Sequence, residues 1–137
     1  MIIRSKKYEG ISITTSVEVH AIFAALLKQK PKFERDKEHL WVAGLNRRNR
    51  IIYIDLVSVG STHGTIAEAR EIFRMAIHKS ASSIVLVHNH PSGNREPSPQ
   101  DKVITTKIKE AGKVLGIELL DHVIITPTEY YSFKDEG

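Results

Sequence analysis

The stretch SIVLVHNHPSGNREPSPQD, residues 83–101, places an apolar run, two histidines, a proline-containing loop and an acidic residue in immediate succession. The apolar run over 83–88 predicts a strand that is buried on both faces and therefore lies centrally in a sheet. The loop 89–97 contains two prolines and a glycine, which end that strand. Ser98 and Asp101 then match the N-cap and N3 positions of a helix. The stretch thus predicts a strand, a rigid loop and a helix in sequence.

The remaining segments alternate between helical and strand patterns. Helices are predicted after Thr15, Thr65 and Ser98, strands over 39–46, 50–59, 83–88 and 117–125, and a short last strand near 130–133. The helix after Thr65 is expected to bury a stripe that includes Ile72, Phe73 and Ile77. We therefore predict one α/β domain of the α+β type over residues 1–137, with a mixed, mostly antiparallel sheet flanked by three helices.

The composition excludes several classes of protein. The chain has 137 residues, of which 41% are hydrophobic and 26% charged, as in ordinary globular domains. It contains no cysteine, which excludes disulfides, thiolate chemistry and zinc sites built on Cys. No run has the length of a membrane span, and the N-terminus lacks the apolar core of a secretion signal, so we expect a cytoplasmic protein without membrane contact. The net charge of +4 permits nucleic-acid contact without requiring it.

Three side chains of the opening stretch predict a metal site. His88 and His90 point to the same side of an extended chain, and Asp101 follows on the first turn of the next helix. Two imidazoles and one carboxylate make the donor set of a catalytic zinc site, whose fourth position is left to water. Such a metal lowers the pKa of its water to about 7. Ser98 and Asp101 are also fully explained as a capping box, and the two roles can coexist.

The order His88-x-His90, seven residues, Ser98, two residues, Asp101 resembles the H-x-H-x7-S-x2-D signature of the JAMM (MPN-plus) metallopeptidases. The flanking segments VHNHPSG and AGKVLGIELLDHVII are similar to the RadC-like branch of that superfamily, and the resemblance runs from about residue 16 to the end. It implies a curved sheet with a JAMM/cytidine-deaminase-like core. It also implies one Zn²⁺ per chain, held by His88, His90 and Asp101, and a serine, here Ser98, that supports the tetrahedral intermediate.

The resemblance further implies an upstream glutamate that acts as general acid and base at the entry to the first strand of the core hairpin. Glu38 stands directly before HLWVAGL and is predicted to be this residue, because a general base must come within about 2.6–3.2 Å of the water it activates. Glu34, one helical turn earlier, is the alternative. Without the resemblance, the charged run KFERDKEHL would be interpreted as a solvated face.

The predicted function is that of a zinc-dependent hydrolase, a metallopeptidase or isopeptidase with a protein or peptide substrate. One alternative is a DNA-repair-associated or DNA-binding protein with a non-catalytic metal site, as the family label and the basic balance suggest. The helix-hairpin-helix region of longer RadC proteins has no counterpart in these residues, which weakens that alternative. Another is a nuclease, but phosphoryl transfer requires positive charge beside the transferred group.

Other polar residues have simpler interpretations. Arg47, Arg48 and Arg50 form a basic hairpin tip, and without interleaved aromatic residues a solvated turn is favoured over a nucleic-acid contact. His122 follows Asp121 in a strand and is either a hydrogen-bonded strand histidine, which we favour, or an outer partner of the metal ligands. His63 is expected to lie in an exposed loop.

Overall fold

The computed structural model describes residues 2, 7–60 and 68–137, which form a five-stranded sheet with helices on both faces. The strands are β1 (Glu38–Leu45), β2 (Ile51–Gly60), β3 (Ser83–Asn89), β4 (Glu118–Ile125) and β5 (Tyr130–Ser132). The helices are α1 (Ser16–Lys28), α2 (Lys32–Arg35), α3 (Ala69–His78), α4 (Pro99–Leu115) and α5 (Phe133–Glu136). The predicted fold class is confirmed, and the single-turn helices α2 and α5 add to the three helices expected. No helix in the described ranges combines the length and apolar character needed to cross a bilayer.

The sheet has the order β2-β1-β3-β4-β5, with β3 at its centre. β1 pairs antiparallel with β2 and β3, whereas β3 and β4 are parallel, and β5 closes the sheet antiparallel to β4. Helix α4 makes the crossover that parallel neighbours require. Every residue of β3 is buried, which confirms the prediction of a central strand from its continuous apolar run.

Two hydrophobic clusters cover the two faces of the sheet. On one face α1 packs against β1, where the rings of Phe23 and Trp41 lie 5.5 Å apart between centroids. On the other face α3 and α4 cover the sheet through Phe73 and Ile108. The predicted stripe of α3 is wrong at Ile77, which is 58% exposed because it lines an open groove between α3 and α4 and does not face the sheet.

The helix ends largely follow the predicted caps. The Glu18 carboxylate accepts hydrogen bonds from the backbone N–H groups of Thr14 and Thr15, both at 2.9 Å, at the start of α1. Helix α4 ends at Gly116, whose φ of 73° lies in the left-handed region that favours glycine. The predicted cap at Thr65 lies outside the described residues, and α3 begins at Ala69.

Candidate metal centre

The topology brings the end of β3 and the start of α4 together on one face of the sheet. Side chains alternate along a strand, so His88 continues the row of Leu86, which packs in the cluster under α3 and α4. His90 lies just beyond the end of β3, where its backbone N–H donates to the carbonyl of Ile125 at 2.9 Å. Asp101 returns to the same place on the first turn of α4. The crossover geometry therefore assembles side chains from both ends of one loop.

The three predicted ligands form a compact cluster. The Nε2 atoms of His88 and His90 lie 3.0 Å apart. Asp101 Oδ1 lies 3.2 Å from His88 Nε2, and Asp101 Oδ2 lies 3.2 Å from His90 Nε2. Among the described residues these three side chains satisfy the geometry of a metal-binding group, with ligand atoms within 4.8 Å of one another. Their role as ligands stays a prediction, but the structure brings together the residues selected from the sequence.

The donor atoms fit a small cation. Ligands about 2.0–2.1 Å from a tetrahedral ion lie about 3.3 Å from one another, close to the separations of this cluster. The backbone carbonyl of Asn94 lies 2.8 Å from His90 Nδ1, and a carbonyl can only accept, so Nδ1 carries a hydrogen. The Nε2 atom of the neutral ring then has a bare lone pair 3.2 Å from the Asp101 carboxylate. Two such acceptors repel unless a proton or a metal ion lies between them.

The pKa values of Asp101 and His90 also favour a positive charge between the donor atoms. Burial raises the pKa of the Asp101 carboxyl, but its contacts with the Nε2 atoms of His88 and His90 and with the backbone N–H of Ser98 outweigh burial and hold that pKa well below its ordinary range. Burial lowers the pKa of His90, but the hydrogen bonds to Asp101 and Asn94 and the charges of Asp101 and Glu38 outweigh it, so the pKa is raised. Without a metal the cluster thus favours an ionised carboxylate beside a protonated imidazole. A metal cation would replace that proton.

The loop after β3 fixes the ring of His90. Gly93 adopts a φ of 85°, which turns the chain back, and its N–H donates to the His90 carbonyl at 3.1 Å. The turn brings the Asn94 carbonyl under His90 Nδ1. Metal-binding histidines typically donate their second nitrogen in this way, which fixes the tautomer and the ring orientation.

The ring of His88 has a partner to which the sequence interpretation gave little weight. His122 Nε2 lies 2.8 Å from His88 Nδ1, and both rings are buried. Burial and the nearby His88 hold the pKa of His122 well below its ordinary value, so His122 is neutral. The sequence favours an ordinary hydrogen-bonded strand histidine at His122, and its hydrogen-bond partner is one of the predicted ligands. A spacing rule could not find this contact, because it joins β3 to β4 across the crossover.

Asp121 does not act with His122 as a pair of side chains. It faces the opposite side of the sheet, where its Oδ2 accepts from the Ser132 hydroxyl at 2.6 Å and its Oδ1 accepts from the backbone N–H of Lys134 at 3.0 Å. Its pKa is raised because it is buried. Asp121 therefore ties the C-terminal end to β4, away from the predicted ligands.

The capping box predicted for α4 is confirmed. Ser98 Oγ accepts from the backbone N–H of Asp101 at 3.1 Å, and Asp101 Oδ2 accepts from the backbone N–H of Ser98 at 2.8 Å. The Asp101 carboxylate serves the cap and the cluster at the same time, because Oδ2 accepts the cap hydrogen bond and also faces His90 Nε2, while Oδ1 faces His88 Nε2. The catalytic role of Ser98 stays a prediction.

Glu38 is the first residue of β1 and lies near enough to His90 to affect its charge state. Leu40 pairs with His88 in the antiparallel register of β1 and β3, and strand alternation sets Glu38 on the same face of the sheet as Leu40. The charge of Glu38 contributes to the raised pKa of His90. By contrast, Glu34 forms an ion pair with Lys37 at 3.3 Å. The general-base role of Glu38 stays a prediction.

The start of β1 is held by Asn89, which the sequence interpretation missed. Asn89 Oδ1 accepts from the backbone N–H of His39 at 2.6 Å, and its Nδ2 donates to the carbonyl of Lys37 at 3.0 Å. These two backbone groups flank Glu38. Asn89 lies between the two predicted histidine ligands and is buried. It therefore links the strand that carries the histidines to the strand that carries the glutamate.

The basic hairpin tip is remote from the cluster. Arg47, Arg48 and Arg50 are exposed and follow the end of β1, whereas the cluster lies at its beginning. The length of β1 separates the two by about 24 Å. Asn46 organises the tip, since its Oδ1 accepts from the backbone N–H groups of Arg48 and Arg50. His63 lies outside the described residues.

Comparison with known proteins agrees with this architecture. The family model described as "RadC-like JAB domain" matches residues 13–137. A UPF0758 protein of Chlorobium chlorochromatii (strain CaD3) is 49% identical over 104 residues, which are 76% of this chain and 47% of that protein. A UPF0758 protein of Desulforudis audaxviator (strain MP104C) is 46% identical, over 74% of this chain and 44% of that protein. A third, from Flavobacterium johnsoniae, is 42% identical over 91% and 52%, respectively.

The chain spans about half the length of the curated relatives it matches, between 44% and 52% for these three. Their names state no activity, so they identify a lineage and leave the reaction to be argued from the site. The family match covers the strands, the crossover helix and all three predicted ligands. The chain belongs to the family of RadC-like JAB domains.

Proposed function

We propose that this chain is a zinc-dependent hydrolase that cleaves an amide bond, as a metallopeptidase or isopeptidase does. One observation carries the proposal: His88, His90 and Asp101 converge with donor atoms 3.0–3.2 Å apart. Their side chains remain 9%, 13% and 16% exposed, respectively. The donors are therefore arranged in advance and remain within reach of water and a substrate.

The donor set suits zinc. Two imidazole nitrogens and one carboxylate oxygen leave a fourth position open, as in catalytic zinc sites, and the sequence has no cysteine to close it. When bound, zinc supplies Lewis acidity, which polarises a carbonyl and lowers the pKa of water to about 7. His88 and His90 would hold it as neutral rings, and Asp101 would contribute a negative charge.

Glu38 and Ser98 complete the chemistry in this proposal. Glu38 accepts a proton from the attacking water and delivers it to the nitrogen of the leaving amine. The effect of its charge on the pKa of His90 supports this assignment. The Ser98 oxygen accepts from the Asp101 backbone N–H, so its own hydrogen is left to donate to the developing oxyanion. A contact of that kind contributes about 2.7–4 kcal/mol to the stability of a transition state.

A protein or peptide fits the site better than a nucleic acid. Phosphate cleavage requires positive charge beside the transferred group, and the arginines of the hairpin tip, Arg47, Arg48 and Arg50, lie at the far end of β1. The competing proposal, a DNA-associated protein with a non-catalytic metal, predicts salt-dependent binding to duplex DNA without hydrolysis. We therefore favour amide hydrolysis and leave the substrate sequence open.

Metal content tests the first part of the proposal. Elemental analysis should find one zinc per chain in the wild-type protein and almost none in the His88→Ala/His90→Ala variant. His78→Ala is the matched control, because His78 is exposed on α3, and it should retain all of its zinc. Stoichiometric zinc in the double variant would place the metal elsewhere and overturn the proposal.

Hydrolysis tests the second part. A library of fluorogenic peptides and isopeptide-linked dipeptides supplies the substrates. Glu38→Gln should keep its zinc and lose hydrolysis, since the amide retains the shape of the side chain but cannot take up a proton. Glu34→Gln is the paired control and should remain active. Full activity of Glu38→Gln would remove the general-base role from Glu38.

A further inference from the structure

A continuous chain of hydrogen bonds leads from the backbone of Asp101 to the ring of His88. The Thr105 hydroxyl donates to the carbonyl of Asp101 at 2.6 Å. The same oxygen lies 2.5 Å from His122 Nδ1. His122 Nε2 in turn lies 2.8 Å from His88 Nδ1. Thr105 and His122, which are not among the predicted ligands, thus join the backbone of Asp101 to the ring of His88.

The direction of each bond follows from the number of hydrogens available. A carbonyl only accepts, so the single hydrogen of the Thr105 hydroxyl is used on Asp101. The Thr105 oxygen must then accept from His122 Nδ1, which carries a hydrogen. In a neutral imidazole the other nitrogen has none, so His122 Nε2 accepts from His88 Nδ1.

The last bond determines the state of His88. With its hydrogen on Nδ1, its Nε2 keeps a bare lone pair that faces His90 and Asp101. The opposite tautomer would place a hydrogen at the point where the three donors converge, and it would leave two facing lone pairs between His88 and His122. The chain of bonds therefore excludes the tautomer that cannot bind a metal.

The ring of His122 is also held in place by packing. Phe133 stacks on it with the centroids 4.8 Å apart and the planes 11° apart. The residue is 1% exposed, so water does not compete for its nitrogens. A 180° flip of the ring would put carbon atoms in place of both bonded nitrogens and break both hydrogen bonds, so the order of donors and acceptors is fixed by the fold.

We propose that Thr105 and His122 are positioning residues that hold His88 in the Nδ1–H tautomer, so that its Nε2 lone pair is presented to the metal. The role rests on the proposed metal site, because it concerns one of the ligands. Outer partners of this kind typically change metal affinity by about 10–100-fold when they are removed. Neither residue touches the metal or the substrate.

Helix α4 provides a matched pair of variants. Thr105 and Thr106 both donate to the carbonyl four residues earlier, at 2.6 and 3.1 Å, but only Thr105 contacts His122. Thr105→Val and Thr106→Val lose the same type of backbone contact and gain the same side chain. Any difference between them isolates the contact with His122.

Zinc affinity, measured by competition with a chromophoric chelator, is the first readout. Thr105→Val should bind zinc at least about 3-fold more weakly than wild type, His122→Phe about 10–100-fold more weakly, and Thr106→Val equally well. Thr105→Ser retains the hydroxyl and should restore the wild-type affinity. Equal affinities for Thr105→Val, Thr106→Val and wild type would overturn the proposal while the metal site itself stands.

The tautomer supplies a readout that needs no metal. Two-bond ¹H–¹⁵N spectra of the full chain in chelator distinguish a ring that is protonated at Nδ1 from one protonated at Nε2. His88 should be protonated at Nδ1 in wild type and Thr106→Val and should lose this preference in Thr105→Val. An Nε2–H tautomer of wild-type His88 would overturn the proposal. A wild-type protein that bound no zinc would instead overturn the proposed function, even with His88 in the expected tautomer.

Discussion

Asp101 performs two tasks with one carboxylate. It caps α4 through the N–H of Ser98, and it faces the ring nitrogens of His88 and His90. The cap alone would make Asp101→Asn a mild substitution, costing about 0.3–1 kcal/mol. The contacts with the histidines add a contribution that depends on pH, and the two tasks can therefore be separated by titration.

In the presence of chelator, the wild-type protein should exceed Asp101→Asn in free energy of unfolding most clearly near pH 5. The pKa of Asp101 is lowered from 3.8, so its contribution is present above pH 3.8 and is lost as the pH falls through the folded-state value. The pKa of His90 is raised from 6.5, so its contribution is complete below pH 6.5 and is lost as the pH rises through the folded-state value. We expect a gap of about 1.5–3 kcal/mol at pH 5 that narrows by pH 8.5, measured by urea unfolding.

With zinc in place of chelator, the stability gap between wild type and Asp101→Asn should widen as the pH rises. Protons compete with the metal for the imidazoles, so the stabilisation of the wild type by added zinc should increase as the pH rises. Asp36→Asn is the control, because Asp36 is an exposed carboxylate beyond α2, and it should follow the wild type throughout. If the difference in unfolding free energy between wild type and Asp101→Asn stayed constant with pH, and zinc stabilised both proteins equally, Asp101 would act only as a helix cap.

At the scale of secondary-structure elements, the site depends on how β1 is attached to β3. Asn89 supplies two hydrogen bonds to backbone groups on either side of Glu38. Regular strand pairing in the register ends at Leu40 and His88, before Glu38 is reached. A side chain therefore continues the connection where the backbone ladder stops.

Asn89→Ala should loosen the start of β1 more than it weakens the metal site. It leaves the N–H of His39 and the carbonyl of Lys37 without these partners, and we expect a loss of about 1–3 kcal/mol in unfolding free energy. Amide hydrogen exchange at His39 should accelerate strongly, and hydrolysis should fall by a larger factor than zinc affinity, since the predicted zinc ligands lie on β3, directly after β3 and on α4.

Asn46→Ala serves as the comparison for this variant. Asn46 also accepts two backbone hydrogen bonds, at 2.9 and 3.1 Å, but it does so at the other end of β1. Its loss should leave exchange at His39 and the affinity for zinc unchanged. Unchanged exchange at His39 in Asn89→Ala would show that the strand pairing alone positions Glu38.

On the scale of the whole molecule, a closely packed part of the core lies at the end of β1 opposite to the predicted site. Gly44, near the far end of β1, lies against the ring of Tyr53, and an added Cβ would come within 1.9 Å of that ring. Tyr53 is 3% exposed and is packed in the cluster under α3 and α4. The ring cannot move aside without disturbing that cluster.

Gly44→Ala should therefore lower the free energy of unfolding by about 1–3 kcal/mol, as overpacked cores do. Zinc affinity should be unchanged, because the substitution lies at the end of β1 opposite to Glu38. The double variant Gly44→Ala/Tyr53→Leu should recover part of the loss, which a thermodynamic cycle of urea unfolding curves would measure. Strictly additive losses would contradict the steric explanation.

The features that could be predicted from the sequence are those whose residues lie close together along the chain. His88, His90 and Asp101 could be grouped because strand alternation and a helix cap are local rules, and the structure does bring them together. The hydrogen-bond partners of His122 and Asn89 could not be predicted, because they lie on other strands and only the sheet register determines which residues are neighbours. The exposure of Ile77 has the same origin, since periodicity marks an apolar helix face but not whether a neighbouring helix covers each residue of that face.

During synthesis of the chain, the residues before the crossover helix α4 are added earlier than the strand β4 that follows it. A chain extended as far as Asp101 already contains all three donors, separated by one loop, and a loop of about ten residues closes in about 10–100 ns. His122 follows only after the whole of α4, when β4 is added beside β3. All three donors are thus present in the chain before β4 is added. The hydrogen bond between His88 and His122 requires that later strand, so we expect full affinity for a metal only in the completed fold.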